Sequence, residues 1–257
     1  MFFTIYAYLR FLLHSKNQHG VHSPFVFDLV TRCLYDKKEH PDYKTLKSYR
    51  SYLKSQSKTI QVTDLGAGSR VFKSNQRKIS RILEHSGATL KEANFLNRLT
   101  RYTGANSILE LGTSLGMSTL AFSLAAQKGH LTSIEGCPNI FEYTSTQFNR
   151  LQRHDVSFIN SDFDLVLSDL TNQQFDLIYF DGNHKKQATI DYFETLLPTI
   201  HNNTVWVFDD MYWSQEMSET WRYIKRHPKV TVTVDMFNLG LVFFRKEQVK
   251  EHFKIRF

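Results

Sequence analysis

The sequence predicts a doubly wound α/β domain carried behind a helical segment. Three observations lead there. Residues 108–245 alternate short apolar, β-rich runs with helical stretches, the rhythm of a parallel sheet covered by helices. One of those runs, FDLIYF at 175–180, is almost wholly apolar, as a strand buried on both faces should be. Residues 1–106 lack strand rhythm and read as helices.

In order, SILEL (107–111) is the first strand, followed by the helical TLAFSLAAQ from Thr119. HLTSIE (130–135) is the second, with a helix over 140–152. DVSFIN (155–160) is the third and FDLIYF the fourth, with a helix over 187–197. TVWVF (204–208) is the fifth, with a helix over 215–226. The end differs. VTVTV (230–234) and LVFF (241–244) are separated by a few residues including Asn238 and Gly240. No helix fits between them, so an antiparallel hairpin on the sheet edge is expected. Ahead of the first strand, helices are expected over 2–14, 24–35, 42–55, 75–85 and 90–103. Phe2, Tyr6, Leu9 and Leu13 share one face of the first. That face suits docking on the main domain, a second subunit or a membrane. Docking is expected, because the polar face is not notably basic.

Composition narrows the class. The chain has 257 residues, 41% hydrophobic and 22% charged, which is globular usage and excludes disorder. With 21 phenylalanines and 12 tyrosines, much of the core should be aromatic. Two cysteines, Cys33 and Cys137, are too few for a disulfide framework or a structural zinc site. No apolar run has membrane-spanning length. A soluble, reducing, cytoplasmic setting is expected. The net charge of +7 is uneven: residues 1–107 hold 18 Lys/Arg against 7 Asp/Glu, and residues 108–257 hold 14 against 18. A basic front half suits an anionic ligand, a membrane surface or nucleic acid, or is simply a solvated basic surface.

Two glycine motifs compete. Asp64-Leu-Gly66-Ala-Gly68-Ser69 is followed by a basic stretch and a helix, with no strand and no well-placed acid. Glu110-Leu-Gly112-Thr113-Ser114-Leu-Gly116 has a strand before it and a helix after it, and Glu135 closes the next strand 23 residues beyond Gly112. A nucleotide loop needs that set, with the acid placed for ribose hydroxyls. Gly112 and Gly116 let backbone approach a ligand. Glu135 can accept two hydrogen bonds from a diol, or is a solvated charge at a strand end. The dinucleotide pattern Gly-x-Gly-x-x-Gly is absent.

ILELGTSLGMSTL resembles the first motif of the class I S-adenosylmethionine-dependent methyltransferases, in the form found in their O-methyltransferase branch. The resemblance covers roughly residues 88–246. It implies an α/β, Rossmann-like, seven-stranded mixed sheet of order 3-2-1-4-5-7-6 with the seventh strand antiparallel. It implies a helical N-terminal cap over 1–87 and a cofactor-binding domain over 88–257. S-adenosylmethionine is the implied cofactor, with Gly112, Ser114 and Gly116 around its methionine part and Glu110 and Thr113 in the same motif. Glu135, followed by Gly136, falls at the ribose, and Asp162 near the adenine amino group. Phe163 either covers the adenine face or packs in the core.

Asp181 ends the fourth strand, and Asp209 and Asp210 end the fifth. Ligands of doubly wound sheets sit at such strand ends. Three converging carboxylates repel unless a cation joins them, and Mg²⁺ or Ca²⁺ suits oxygen donors. The alternative is that these residues cap the following helices. The set resembles the metal site of catechol-type and sugar O-methyltransferases, which implies Asp181, Asp209 and Asp210 as metal ligands and Asp181 also at the cofactor. It departs from them at Asn183 and His184, where sugar-modifying enzymes carry an acid and catechol-type enzymes a lysine. His184 is the candidate base, since an imidazole titrates near neutrality.

The expected reaction is methyl transfer to a hydroxyl of a small molecule, neutral or anionic, with His184 and Asp181 catalytic. Lys73, Arg77, Lys78 and Arg81 lie on or before one expected helix, with Arg77 and Arg81 spaced to share a face. The Asp64–Ser69 loop is placed to lie over the site. His19 and His22 are expected in a structural loop. A nucleic-acid methyltransferase is the rival, without a supporting Asn-Pro-Pro-Tyr or Pro-Cys motif. A non-catalytic binding module is the other. The aromatic first helix suggests a homodimer.

Overall fold

The computed structural model describes residues 2–66, 68, 72–126 and 129–257. In chain order the elements are α1 (Phe2–His14), α2 (Pro24–Leu29, continued as a π turn over Val30–Leu34), α3 (Pro41–Ser55), β1 (Thr59–Gln61), β2 (Gln76–Lys78), α4 (Ile79–His85) and α5 (Leu90–Thr103). They continue with β3 (Ser107–Leu111), α6 (Met117–Ala125), β4 (His130–Glu135), α7 (Pro138–Arg150), β5 (Val156–Asn160) and α8 (Phe163–Val166). The last are β6 (Leu177–Phe180), α9 (Lys186–Leu196), β7 (Val205–Asp209), α10 (Gln215–Arg226), β8 (Val232–Asp235), β9 (Leu239–Phe243) and β10 (Glu251–Lys254). Two compact units result: a central unit, Lys37–Val166, and a terminal unit, the chain up to Asp36 with Leu167–Phe257.

In the central unit β5, β4 and β3 lie side by side, all parallel. That is the 3-2-1 part of the expected order. Helices α3 and α5 are tied by Asp42, which accepts from Asn97 at 2.9 Å and from Arg101. The same two side chains reach the Ala121 and Leu124 carbonyls of α6, both at 3.0 Å. Helix α5 starts in a capping box between Thr89 and Glu92 and stops at Gly104, whose φ of 67° is left-handed.

Two short strands were not expected here. β1 and β2 pair antiparallel, with Ile60 opposite Arg77. Three residues each is too short for alternation to register in a sequence. The expected helix over 75–85 therefore begins only at Ile79. Arg77 lies on β2 with its side chain buried, 3.3 Å from Asp64 and 4.7 Å over the Phe72 ring. Arg81 lies on α4 and pairs with Glu84. The two arginines therefore do not share a helix face.

In the terminal unit the order is β6-β7-β9-β8-β10, with β9 antiparallel to both its neighbours. That is the 4-5-7-6 part, plus one strand. β10 pairs parallel with β8, so the β8–β9 hairpin is not the edge. The added strand, EHFK, is short and charged, as edge strands often are, and its polarity hid it. The core is aromatic as composition indicated: Phe180 stacks on Phe208 at 4.2 Å, and Phe193 meets Trp206 edge-on at 5.3 Å. Helix α1 corrects another expectation. It docks through Ala7 and Phe11, while Tyr6, Leu9 and Leu13 face away and are exposed. Pattern alone could not choose between two apolar sides of one helix.

Candidate functional site

The sequence-predicted site residues form two arrays, one in each unit. The central array lies where β3 and β4 end. The turn after β3 is tightly wound: Gly112, Ser114 and Gly116 have φ of 105°, 47° and 77°. Glu135, at the end of β4, holds this turn. Its Oε2 accepts the Ser114 N–H at 2.9 Å, and its Oε1 accepts the Cys137 N–H at 2.8 Å. Burial pushes the Glu135 pKa up, while the backbone donors of Cys137, Ser114 and Gly136 pull it back. This carboxylate is not a solvated strand-end charge.

Behind the turn runs a buried polar chain. The Thr113 and Ser133 hydroxyls are 2.6 Å apart; Ser133 and Thr119 donate to Glu110 Oε2 at 2.6 and 2.5 Å. Glu110 Oε1 is buried and without a hydrogen-bond partner. Burial raises the Glu110 pKa to about 7, against the donors of Ser118, Ser133 and Thr119. A buried polar atom without a partner is costly and commonly marks a functional position.

Gly116 has a packing role that its motif did not announce. A Cβ there would meet Phe148 at 2.6 Å and Thr144 at 2.9 Å, both on α7. Its missing Cβ makes room for that helix. Gly136 is different: a Cβ there would lie 2.5 Å from Leu65 Cδ1. Leu65 belongs to the loop the sequence placed over the site. That loop lies on the acid-bearing turn: the Thr63 N–H donates to Cys137 Sγ at 3.3 Å, and Asn139 Nδ2 to the Gln61 carbonyl at 2.8 Å. The Asp64 Oδ1 accepts the Gly66 N–H; Ala67 and Ser69 lie outside the described residues. Asp162 Oδ1 accepts the Asp164 N–H at 3.4 Å, at the start of α8, and Phe163 is buried.

The terminal array gathers where β6 and β7 end side by side. His184 Nε2 is 3.8 Å from Asp181 Oδ1, and the imidazole ring lies 6.2 Å from the Trp213 ring. Burial lowers the His184 pKa, and the nearby Asp210 carboxylate opposes that. Asp209 is committed elsewhere: its Oδ2 accepts from the Tyr179 hydroxyl at 3.2 Å and its Oδ1 from the Asp210 N–H at 2.8 Å. Among the described residues no group of three or more His, Cys, Asp or Glu side chains could hold a metal ion. Asp181, Asp209 and Asp210 thus neighbour His184 and Tyr179 without forming a cation cage.

In the sequence Asn183 stands out only as a departure from the family pattern. Asn183 has a φ of 51°, donates to the Tyr192 hydroxyl at 2.8 Å and leaves its Oδ1 buried without a partner. Asp210 has a φ of 54°. Left-handed, non-glycine residues that follow strand ends are a common mark of functional loops. An Asn after Asp-Gly was the available signal, since Asn tolerates that conformation.

The strand orders, the wound turn after β3 and the acid closing β4 are those of the class I, Rossmann-like methyltransferase fold. Comparison with known proteins agrees. Residues 109–211 match a family model described as a methyltransferase domain. A provisionally named caffeoyl-CoA O-methyltransferase of Arabidopsis thaliana is 28% identical over 127 residues, which cover 48% of this chain and 53% of the relative. The chain thus spans about half the length of that curated relative. Among solved structures, S-adenosylhomocysteine-bound methyltransferase PaMTH1 of Podospora anserina superposes with a TM-score of 0.63 at 14% identity, covering 88% of this chain and 98% of that one. The O-methyltransferase TomG of Streptomyces achromogenes, solved with S-adenosylmethionine and involved in tomaymycin synthesis, gives 0.57 at 17% identity, covering 86% and 95%. The chain thus shares the fold of S-adenosylmethionine-dependent methyltransferases, and its residues 109–211 match a methyltransferase domain.

Proposed function

We propose that this protein transfers the methyl group of S-adenosylmethionine to a hydroxyl of a small molecule, with His184 as proton acceptor. The observation that carries the reading is the Glu135 carboxylate clamped between the Ser114 and Cys137 N–H groups, beside Glu110 with its unpartnered Oε1. These residues fit the cofactor. Glu135 keeps lone pairs for a ribose diol, and a cationic ligand group would satisfy Glu110 Oε1. Gly112, Thr113, Ser114, Gly136, Asp162 and Phe163 complete the proposed cofactor contacts; Gly116 contributes by shaping the turn.

When bound, the cofactor supplies a sulfonium methyl that a hydroxyl oxygen displaces in one step, so that the C–O bond forms as the C–S bond breaks. His184, its pKa lowered by burial, is neutral at pH 7 and able to accept the hydroxyl proton. The Asp181 and Asp210 carboxylates stabilise the imidazolium that results. Cation assistance by Asp181, Asp209 and Asp210 was expected from the sequence. Among the described residues these side chains do not form a group that could hold an ion, so the proposed proton transfer rests on His184 and its carboxylate neighbours.

Calorimetry with S-adenosylmethionine and S-adenosylhomocysteine tests the cofactor, and label transfer to a panel of catechols, neutral and carboxylated, tests the acceptor. Binding of both cofactor forms with transfer to a hydroxyl, unchanged by EDTA, is expected. Failure to bind either form would leave a non-catalytic methyltransferase fold. Transfer that stops with EDTA and returns with Mg²⁺ would reinstate the cation.

A further inference from the structure

The first helix carries an apolar surface that the fold does not use. α1 turns Ala7 and Phe11 inward, and Tyr8 and Phe11 meet the Phe237 ring at 4.9 and 5.6 Å. On the other side Ile5, Tyr6, Leu9 and Leu13 are 54%, 64%, 56% and 83% exposed. At about 3.6 residues per turn these side chains form one continuous stripe opposite Ala7 and Phe11. A helix apolar on two sides needs two apolar neighbours. The protein supplies one.

Charge around the stripe selects the other. α1 contains no acidic residue, and its Arg10 is exposed. The chain's last residues lie beside its C-terminal end: the Lys16 N–H donates to the Lys254 carbonyl at 2.8 Å, the Arg256 N–H to the Lys16 carbonyl at 3.1 Å, and the Arg256 guanidinium to the Ser15 carbonyl at 3.3 Å. Lys16 and Arg256 are exposed. This basic border was invisible in the sequence, because half of it comes from the far end of the chain. A second copy seated by two-fold symmetry would bring α1 against α1, each with Arg10 and neither with an acid. An anionic lipid surface satisfies both features, taking apolar side chains at the acyl boundary and cations at the phosphates. At about 20 Å, thirteen residues of helix fall short of the ~30 Å hydrocarbon core, so the helix would lie in the plane of the surface.

We propose that α1 docks the protein on an anionic lipid surface through Ile5, Leu9 and Leu13, with Arg10, Lys16 and Arg256 at the headgroups. The docked helix touches Phe237, which stacks on Tyr212 at 5.0 Å. The lipid therefore lies one aromatic layer from the loop that begins at Asp209 and Asp210. This inference does not depend on methyl transfer.

The test is co-flotation of the whole protein with phosphatidylcholine vesicles, with and without phosphatidylglycerol, followed by sedimentation in their absence. The protein is expected to float with the anionic vesicles only. The double variant Leu9→Asp, Leu13→Asp should lose binding at least ten-fold with an unchanged circular dichroism spectrum and Tm, both positions being exposed. Arg10→Glu should weaken it several-fold. No flotation with anionic vesicles, equal flotation with neutral ones, or flotation that survives the double variant would overturn the proposal. So would a stable dimer that the double variant dissociates, which would give the stripe to a second copy.

Discussion

Glu135 and Ser114 are joined by a 2.9 Å hydrogen bond from backbone to carboxylate, so the acid that ends β4 fixes the turn that ends β3. Its other oxygen holds Cys137. Removing it frees two part-buried N–H groups, and each such loss costs about 1–3 kcal/mol. Glu135→Ala should therefore lower Tm by several degrees and weaken S-adenosylmethionine at least ten-fold by calorimetry. Glu135→Gln keeps one acceptor and should fall between. Wild-type affinity in Glu135→Ala would remove the cofactor assignment.

Glu110 makes a prediction with a sign. Burial raises its carboxyl to about 7 in the folded chain, against an ordinary value of 4.5. The folded state thus holds a proton that the unfolded chain has released. The stabilisation is full below pH 4.5 and is lost as pH rises to about 7. The whole loss is on the order of 3 kcal/mol. Glu110→Gln cannot ionise, so in urea unfolding it should match wild type at pH 4 and exceed it at pH 8. A cationic ligand group beside Oε1 would expel the proton, so wild-type cofactor affinity should rise between pH 6 and 8. Affinity that falls over that range would place the cofactor elsewhere.

Much of this was legible in the chain. The strands of SILEL, HLTSIE and FDLIYF announce themselves because long apolar runs and clean turns leave few alternatives, and Glu135 follows from the spacing of strand, loop and helix. What stayed hidden depended on neighbours far away in sequence. Arg77 looked like a helical surface cation until Asp64 and Phe72 enclosed it. The contacts of Asp209 with the Tyr179 hydroxyl and the Asp210 N–H likewise leave no mark in the sequence. The β10 strand was too short and too polar to show a period.

Gly116 tests a packing argument by itself. Its φ of 77° is left-handed, and the space of its missing Cβ is filled by Phe148 and Thr144. Gly116→Ala combines left-handed strain of about 1–2 kcal/mol with overpacking of about 1–3 kcal/mol. Thermal unfolding should reveal a loss of at least 2 kcal/mol by these figures, roughly. Gly104→Ala, at a φ of 67° with no atom within 4 Å of its Cβ position, should lose only the strain. Equal losses at the two positions would show that α7 gives way.

His184 decides the chemistry. Burial lowers its pKa from 6.5 and Asp210 opposes the shift, so the imidazole is neutral, and able to accept a proton, above a lowered titration point that lies below pH 6.5. kcat should climb with pH through that value and stay level to pH 8. His184→Gln should lower kcat by about 10²–10⁴-fold and flatten this limb, with cofactor affinity unchanged, since the residues that clamp the Ser114 turn are all elsewhere. Asp210→Asn removes the influence that holds the pKa up, and Asn accepts the left-handed backbone at this position. The acid limb should then move to lower pH. A limb that moves upward, or persists in His184→Gln, would assign the proton to another group.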